Sequence, residues 1–594
     1  MLSIGRRAFL HWIVASGATL ADSALAADLP RHAISQATAT PIVIGKQTDD
    51  IESLDPHENV SSSAAEIIGN LYETLVTWDP GRQRIAPGLA ETWLSSDGGS
   101  IWTFGISPGR KFSSGNDVTA DDVVFSLQRI ITIGSAPSAM LAPLGITSAN
   151  VKDVVKSEAG KVVIRLPAGA ASRLLLHCLT ASACSVLDRK VVAEKCSSDA
   201  VRAAAAGPGG GGGSGGLCDR GEAWLRSNSA GSGPFWISNA IRTDELVLQR
   251  NCHHRAAARA RPIVIRNISD PRQQRRLLET GEIQIARNLP DGSWPGDSRD
   301  IACNTSCEIP AADKVKKVRH PIQQSPPAGS PKANLLVLCM NVSDYHDNPL
   351  RVTAVRQAIR LALDVQSLAE DLNSRRWSPQ SGFCPAVLRP SGNAPRHDRE
   401  KALALLGGEK FTLTIDHVAG SPRSHVVQIL MKQLGGIGIT LKSRAVSGRQ
   451  FFAGLKARQY ELALLSWNAD YLDPHSNAHT FCVNSDIENR NDASTSQTMA
   501  WYCRWYDQSI ADSANAVAIE ADDLERKRKY DEIEMQLLDR GPFAFLLEET
   551  DFSFSRQNGP KLSMGVIDSF TRYPIESLQQ TEVCLRANPS SAPR

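Results

Sequence analysis

The sequence predicts an α/β protein built as two repeated halves, and three observations carry that prediction. Short apolar runs alternate with amphipathic helical stretches from about Ile42 to Phe554, the pattern of helices laid on sheets. Two of the runs, residues 335–340 and 461–467, are apolar almost throughout, as strands covered on both faces must be. A proline-rich stretch at residues 321–331 interrupts the alternation and is a candidate crossing between two lobes. At 594 residues the chain is too long for one core, and roughly two to four domains are expected.

The elements follow in order. Ile42, Val43 and Ile44 open the fold as a short strand, and residues 61–78 read as a helix running into a strand. Trp102, Phe104 and Ile106 alternate as one strand face, and Pro108-Gly109 turns the chain. Thr119, with Asp122 three residues on, makes a capping-box variant. Val123, Val124, Leu127, Ile130 and Ile131 form the apolar stripe of the helix behind it. Residues 235–237, 245–249 and 262–268 read as strands, and 272–278 as a helix stopped by Gly281. Past the proline-rich stretch, Val352, Val355, Ile359 and Leu363 mark a helix. Residues 411–415 are a strand, and Val426, Val427, Leu430 and Leu434 belong to a helix ending at Gly435-Gly436. A charged helix at 522–538 precedes an apolar strand at 543–547.

Composition narrows the function classes. The 65 basic and 63 acidic residues leave a formal net charge of +2, with no basic tract suited to nucleic acid. The N-terminus has Arg6-Arg7, then Phe9-Leu10, a modest apolar run and Ala24-Leu25-Ala26. This pattern predicts a twin-arginine export signal cut near Ala26, hence a periplasmic protein. No later run is long enough to span a bilayer. Twelve cysteines suit an oxidising compartment, and the expected disulfides are Cys482–Cys503 and Cys196–Cys218. Cys303 and Cys307 lack the second ligand pair that a zinc site needs. Residues 207–216 are nearly all glycine, but no Lys-Ser/Thr follows them, so they read as an inserted loop and not a phosphate cradle.

The segment YELALLSWNADYLDPHSN, residues 460–477, concentrates the chemistry. A buried strand ends there in Trp467, Asp470, Tyr471, Asp473 and Pro474, at the strand end where open α/β sheets bind ligands. A carboxylate walled by two aromatics suits a cation such as an ammonium group. The same residues also read as a strand followed by a turn whose Asp residues cap a helix. This segment alone leaves both readings standing.

Six blocks carry a family resemblance in the family's order: NLYETLV at 70–76, PGLAETW at 87–93, WTFGISPGRKFSSGNDVTADDVVFSLQRI, AGSGPF at 230–235, NPLRVTAVRQAIRLALD at 348–364 and WNADYLDP at 467–474. With them the chain resembles the periplasmic solute-binding proteins of ABC importers, bacterial extracellular family 5, over nearly its whole mature length. The resemblance implies a two-lobed flytrap fold with an extra subdomain in the first lobe. After a leader over 1–26, the first lobe takes 27–76, the extra subdomain with its glycine-rich insertion 77–225, and the first lobe again 226–325. The second lobe takes 326–545, and 546–594 returns to the first lobe and ends in a tail. Hinges are expected near 315–330 and 545–550.

In peptide-binding members the Asp of a Trp-x-x-Asp pattern pairs with the ligand's α-ammonium. The resemblance therefore implies Asp470 and Trp467 as ligand-binding residues, to which the strand-end reading adds Tyr471, with no catalytic residue, no metal and no cofactor expected. It implies a monomer that captures short peptides and delivers them to an inner-membrane permease complex. The family also includes binders of opines, oligosaccharides, nickel chelates and haem. One departure bears on the ligand: where the family has an aromatic-rich run, this chain has Asn251-Cys252-His253-His254-Arg255. A metal or metal-chelate scavenger using His253, His254, His475 and His479 is one rival reading. A hydrolase is another, against which stands the absence of a G-x-S-x-G elbow or a zincin motif.

Overall fold

Two long antiparallel strands, Ile322–Met340 and Phe543–Arg556, form the spine of the computed structural model. The structure describes residues 40–196, 221–289 and 322–575, apart from 243–244, 256–259, 345–346, 373–374, 381, 389–396, 420–422 and 485–497. At about 3.3 Å per residue the longer strand can reach roughly 60 Å, enough to serve both halves of one large sheet. On one side of the pair lie Leu462–Asn468, Phe411–Val418 and Ile439–Val446, in that order. On the other side lie Ile285–Ala286, Ile42–Lys46, Ile263–Asn267, Glu245–Arg250 and Phe235–Arg242. Each half has its own parallel pairs, such as Ile44 with Ile265 and Leu413 with Leu441. With the short strand Trp377–Pro379 paired to Phe543–Arg556 off the main path, the two halves expected from the alternation thus share a single eleven-stranded sheet.

The spine changes register between Ser325 and Ser330 and again between Pro331 and Leu335. Proline has no amide to give the ladder, so Pro326 and Pro331 locally prevent regular pairing in the stretch anticipated as a crossing. The chain beyond this spine packs back on the first half. Phe552 and Phe554 join Ile268 and Leu278 in one cluster, and Leu562 and Tyr573 join Ile42 and Ile44 in another.

Within the stretch assigned to the extra subdomain, Ala90–Ser96, Ile101–Ile106, Lys161–Arg165 and Val155–Glu158 form a separate four-stranded antiparallel sheet. The helix Ala120–Ile133 covers it, burying Val123, Leu127, Ile130 and Ile131, while Val124 is only partly buried. Thr119 and Asp122 form the expected capping box, the Asp122 carboxylate accepting from the Thr119 amide at 2.9 Å. The AGSGPF block is a tight contact. A Cβ at Gly233 would come within 2.5 Å of the Leu71 carbonyl carbon, so glycine is required where this turn meets the end of the helix Ser62–Leu71.

One expectation from the cysteines is corrected. Cys482 and Cys503 are both free and buried. Cys482 ends the helix Pro474–Cys482, whereas the Cys503 thiol instead accepts a hydrogen bond from the Tyr460 hydroxyl at 3.5 Å. Flanking one excursion in sequence did not bring their sulfurs together. Cys196 is disulfide-bonded. Cys218, Cys303, Cys307, the glycine tract and the leader lie outside the described residues. No described helix is long and apolar enough to cross a membrane.

Candidate functional site

The strand Leu462–Asn468 lies inside the sheet, antiparallel to the spine from Met340↔Leu462 to Asn334↔Asn468. Its side chains alternate between two cores. Leu462 and Leu464 pack in one, Ala463 and Leu465 in the other, which is why the run is apolar without interruption. Burial relaxes from Ser466 onward, and the polar residues follow.

The loop after the strand holds three aspartate or aromatic positions in very different settings. Asp473 caps the helix Pro474–Cys482, its carboxylate accepting from the His475 amide at 2.8 Å. Arg526 donates to both oxygens of that carboxylate, at 2.6 and 3.0 Å. Burial works to raise the Asp473 pKa, but the hydrogen bonds and charge of Arg526 outweigh it and hold the carboxyl below the usual range. Asp473 is the helix-capping aspartate that the turn reading of this segment expects.

Asp470 is the opposite case. Its backbone amide donates to the Ser476 hydroxyl at 2.9 Å, which fixes the loop. Its carboxylate has no basic partner and no hydrogen-bond donor among the described residues, and burial alone raises its pKa to about 7. An unpaired carboxylate removed from water is costly, and a ligand cation would relieve that cost.

Trp467 is held in place from behind. Its indole Nε1 donates to the Asn477 side chain at 3.1 Å, and its ring meets Phe481 edge-on with centroids 5.8 Å apart. Asn477 in turn donates to the Phe383 carbonyl at 2.6 Å. The ring is partly exposed and available as one wall beside the loop.

Tyr471 is placed elsewhere than expected. It is only 1% exposed and belongs to the core of the small-sheet unit, packed among residues such as Leu174, Leu175 and Cys178. It therefore presents no open aromatic face beside Asp470.

Sequence reasoning missed a cation. Arg423 starts the helix Arg423–Gly435 and donates to the Ser466 hydroxyl at 2.9 Å. It forms no ion pair with any described acid. Burial lowers its pKa, opposed by the more distant charges of Glu549 and Asp50. A cation at a helix N-terminus also lies at the wrong end of the dipole. Nothing in its local sequence signals this, because Ser466 reaches it from 43 positions away.

The spine under the loop carries a buried ion network that was also illegible in the sequence. Glu66 pairs with Lys46 at 3.1 Å and with Arg287 at 2.9 Å. Arg287 pairs with Asp551 at 2.8 Å, and Lys332 pairs with Asp568 at 2.7 Å. Asn468 donates to Asp568 and, at 3.3 Å, to the Ser62 hydroxyl, so the end of the strand Leu462–Asn468 is tied to the first half.

His475 and His479 face each other with ring centroids 5.9 Å apart. Burial pushes their pKa values down to about 3 and about 4. They are two ligands without a third: among the described residues no group of three His, Cys, Asp or Glu side chains could hold a metal ion. His254 is instead 3.7 Å from Glu73.

Comparison with known proteins identifies the family and the fold. Residues 84–489 match the family described as "Bacterial extracellular solute-binding proteins, family 5 Middle". The chain is 22% identical to the probable D,D-dipeptide-binding periplasmic protein DdpA of Escherichia coli K12, over 86% of this chain and 88% of that one. Its fold superposes on the murein tripeptide binding protein MppA of Escherichia coli with a TM-score of 0.68 at 18% identity, covering 90% of this chain and 99% of that one. It superposes equally on MoaA of A. tumefaciens R10, solved in complex with mannopinic acid, with a TM-score of 0.69 at 18% identity, covering 90% and 100%.

Proposed function

Because the chain belongs to family 5 of the bacterial extracellular solute-binding proteins, a non-enzymatic class, we propose that it captures short peptides for an ABC importer. In this reading the protein is exported through its Arg6-Arg7 leader, binds its ligand in the periplasm as a monomer, and hands it to an inner-membrane permease. The observation that carries the reading is the half-buried Asp470 carboxylate, which has no cation of its own among the described residues. A peptide's α-ammonium would pair with it, with the Trp467 ring beside it adding cation–π attraction. Arg423, without an acidic partner among the described residues, would take a negative group, so a zwitterion would supply a counter-charge to each. Main-chain hydrogen bonding and water around the side chains would permit broad peptide specificity.

A second reading is an opine-type ligand. Arg423 favours it, because an acid of that class brings carboxylates, and the superposed MoaA holds mannopinic acid. Isothermal titration separates the two. Binding of free-amine di- and tripeptides, with mannopinic acid inert, supports the peptide reading; the reverse result replaces it with the opine reading. Binding of neither class, with a metal chelate co-purifying, removes both.

A further inference from the structure

We propose that the small-sheet unit is a wall of the ligand site, and that Tyr471 is the positioning residue that docks it over Asp470. This rests on the reading of Asp470 as the ligand's ammonium partner. Tyr471 leaves the loop directly after Asp470 and is buried in the core of that unit. Ala518, at the end of the helix Gln508–Ala518, enters the same core. Around this seat the unit and the loop region meet again. Arg173 pairs with Asp523 at 2.7 Å and donates to the Glu520 carbonyl. His177, which packs against Trp78 at 6.4 Å, lies within reach of the Asp473 charge.

The two neighbours in sequence therefore have complementary tasks. The Tyr471 ring occupies the unit's apolar core, with its hydroxyl within interaction distance of the Cys178 thiol, and burial of the ring is what seats it. Asp470 is then enclosed on the side of the same unit, where its charge is felt by Cys178 and Tyr471. Displacing Tyr471 would open that side of Asp470 to water. A hydrated carboxylate gains less from a ligand ammonium, because water already solvates it and screens the pair.

Titration reads this arrangement directly. The groups facing Asp470 and its loop from the packed elements are Cys178 and His177 of the unit, Tyr471 and Asp473 of the loop, His475 and His479 of the next helix, and Arg526 and Tyr530 beyond. Burial holds the Cys178 thiol and the Tyr471 and Tyr530 phenols protonated. The His475 and His479 imidazoles stay neutral to about pH 3 and about pH 4. Burial and the nearby Arg526 and Arg173 hold His177 below its usual range, against the pull of Asp473. Asp473 stays ionised and Arg526 charged through their mutual pair. Asp470, with a midpoint of about 7, is the carboxyl of this set that changes charge near neutrality, and its own carbon-13 signal reports it separately from His177.

The experiment is a carbon-13 NMR titration of the Asp470 carboxyl in the ligand-free mature protein, for wild type and for Tyr471→Phe, Tyr471→Leu and Tyr471→Ala. The expected midpoint stays near that of the wild type in the Phe variant. It falls in Leu and further in Ala toward the ordinary aspartate range, while the free-amine peptide loses about tenfold affinity or more in Ala. Far-UV circular dichroism on each variant separates a loss of fold, which would itself bring the midpoint down, from hydration of Asp470 in a folded protein, and Phe restores the midpoint by shape. If Ala does not fold, Leu against Phe decides. Leu and Ala variants that fold and keep the wild-type midpoint overturn the proposal. The NMR arm needs no ligand, so the reading of Asp470 as an ammonium site fails separately, through Asp470→Asn leaving peptide affinity unchanged.

Discussion

Arg526 grips both oxygens of Asp473 at 2.6 and 3.0 Å, and both side chains are under a tenth exposed. Three positions earlier, Asp470 has no such grip. One aspartate of this loop is satisfied from within the scaffold, and the carboxylate of the other has no basic partner among the described residues.

The scaffold half is testable first. Arg526→Ala strands the Asp473 carboxylate in a buried setting and removes a donor to the Tyr530 hydroxyl at 2.9 Å. Breaking one side of a buried pair typically costs roughly 3–5 kcal/mol. Urea unfolding should show a loss of that order, and an unchanged midpoint would mean that the pair does not support the loop.

For the ligand half, Asp470→Asn keeps the size and removes the charge. Free-amine peptides should lose roughly 2–5 kcal/mol of binding, about 30-fold to several-thousand-fold. N-acetylated peptides, which bring no ammonium, should change little. Titrating both peptides against both proteins closes a double-mutant cycle, and equal losses would make Asp470 structural.

Binding should also depend on pH. An ammonium ligand pairs with the ionised carboxylate, so affinity for free-amine peptides should fall as pH drops through about 7. Well below the midpoint the fall approaches about tenfold per pH unit. The acetylated peptides serve as the control and should show no such slope.

The same group makes a prediction for the ligand-free protein, with the opposite sense. Its folded-state pKa, about 7, lies above the ordinary 3.8, so the native state holds a proton that the unfolded chain gives up. The stability it contributes is complete below pH 3.8 and is lost as pH rises through about 7. Chemical denaturation across this window should show the decline in wild type and a shallower one in Asp470→Asn.

Cysteine chemistry offers an independent check. Cys482 and Cys503 are buried free thiols, so an alkylating reagent added to protein unfolded without reductant should label both. A peptide in which mass spectrometry finds the two joined would contradict the structure.

What was legible in the sequence was what is local. Periodicity located the strand Leu462–Asn468 and the helix Ala120–Ile133 because alternation and the 3.6-residue stripe record which faces are covered. The abrupt change from apolar to Trp467 and Asp470 marked the strand end, since a polar side chain is costly in a covered strand unless it is paired. The sequence could not separate Asp470 from Asp473, because their difference lies in whether an arginine 53 positions beyond Asp473 reaches them. Nor could it show that Tyr471 turns into a second core, that Arg423 meets Ser466, or that Cys503 lies beside Tyr460 and not joined to Cys482. Those pairings are set by how distant elements pack, and a buried charge acquires its pKa from that packing. The sequence by itself determined the elements and the chemical identity of the loop; the tertiary structure decided which of its side chains are satisfied from within and which await a partner from outside.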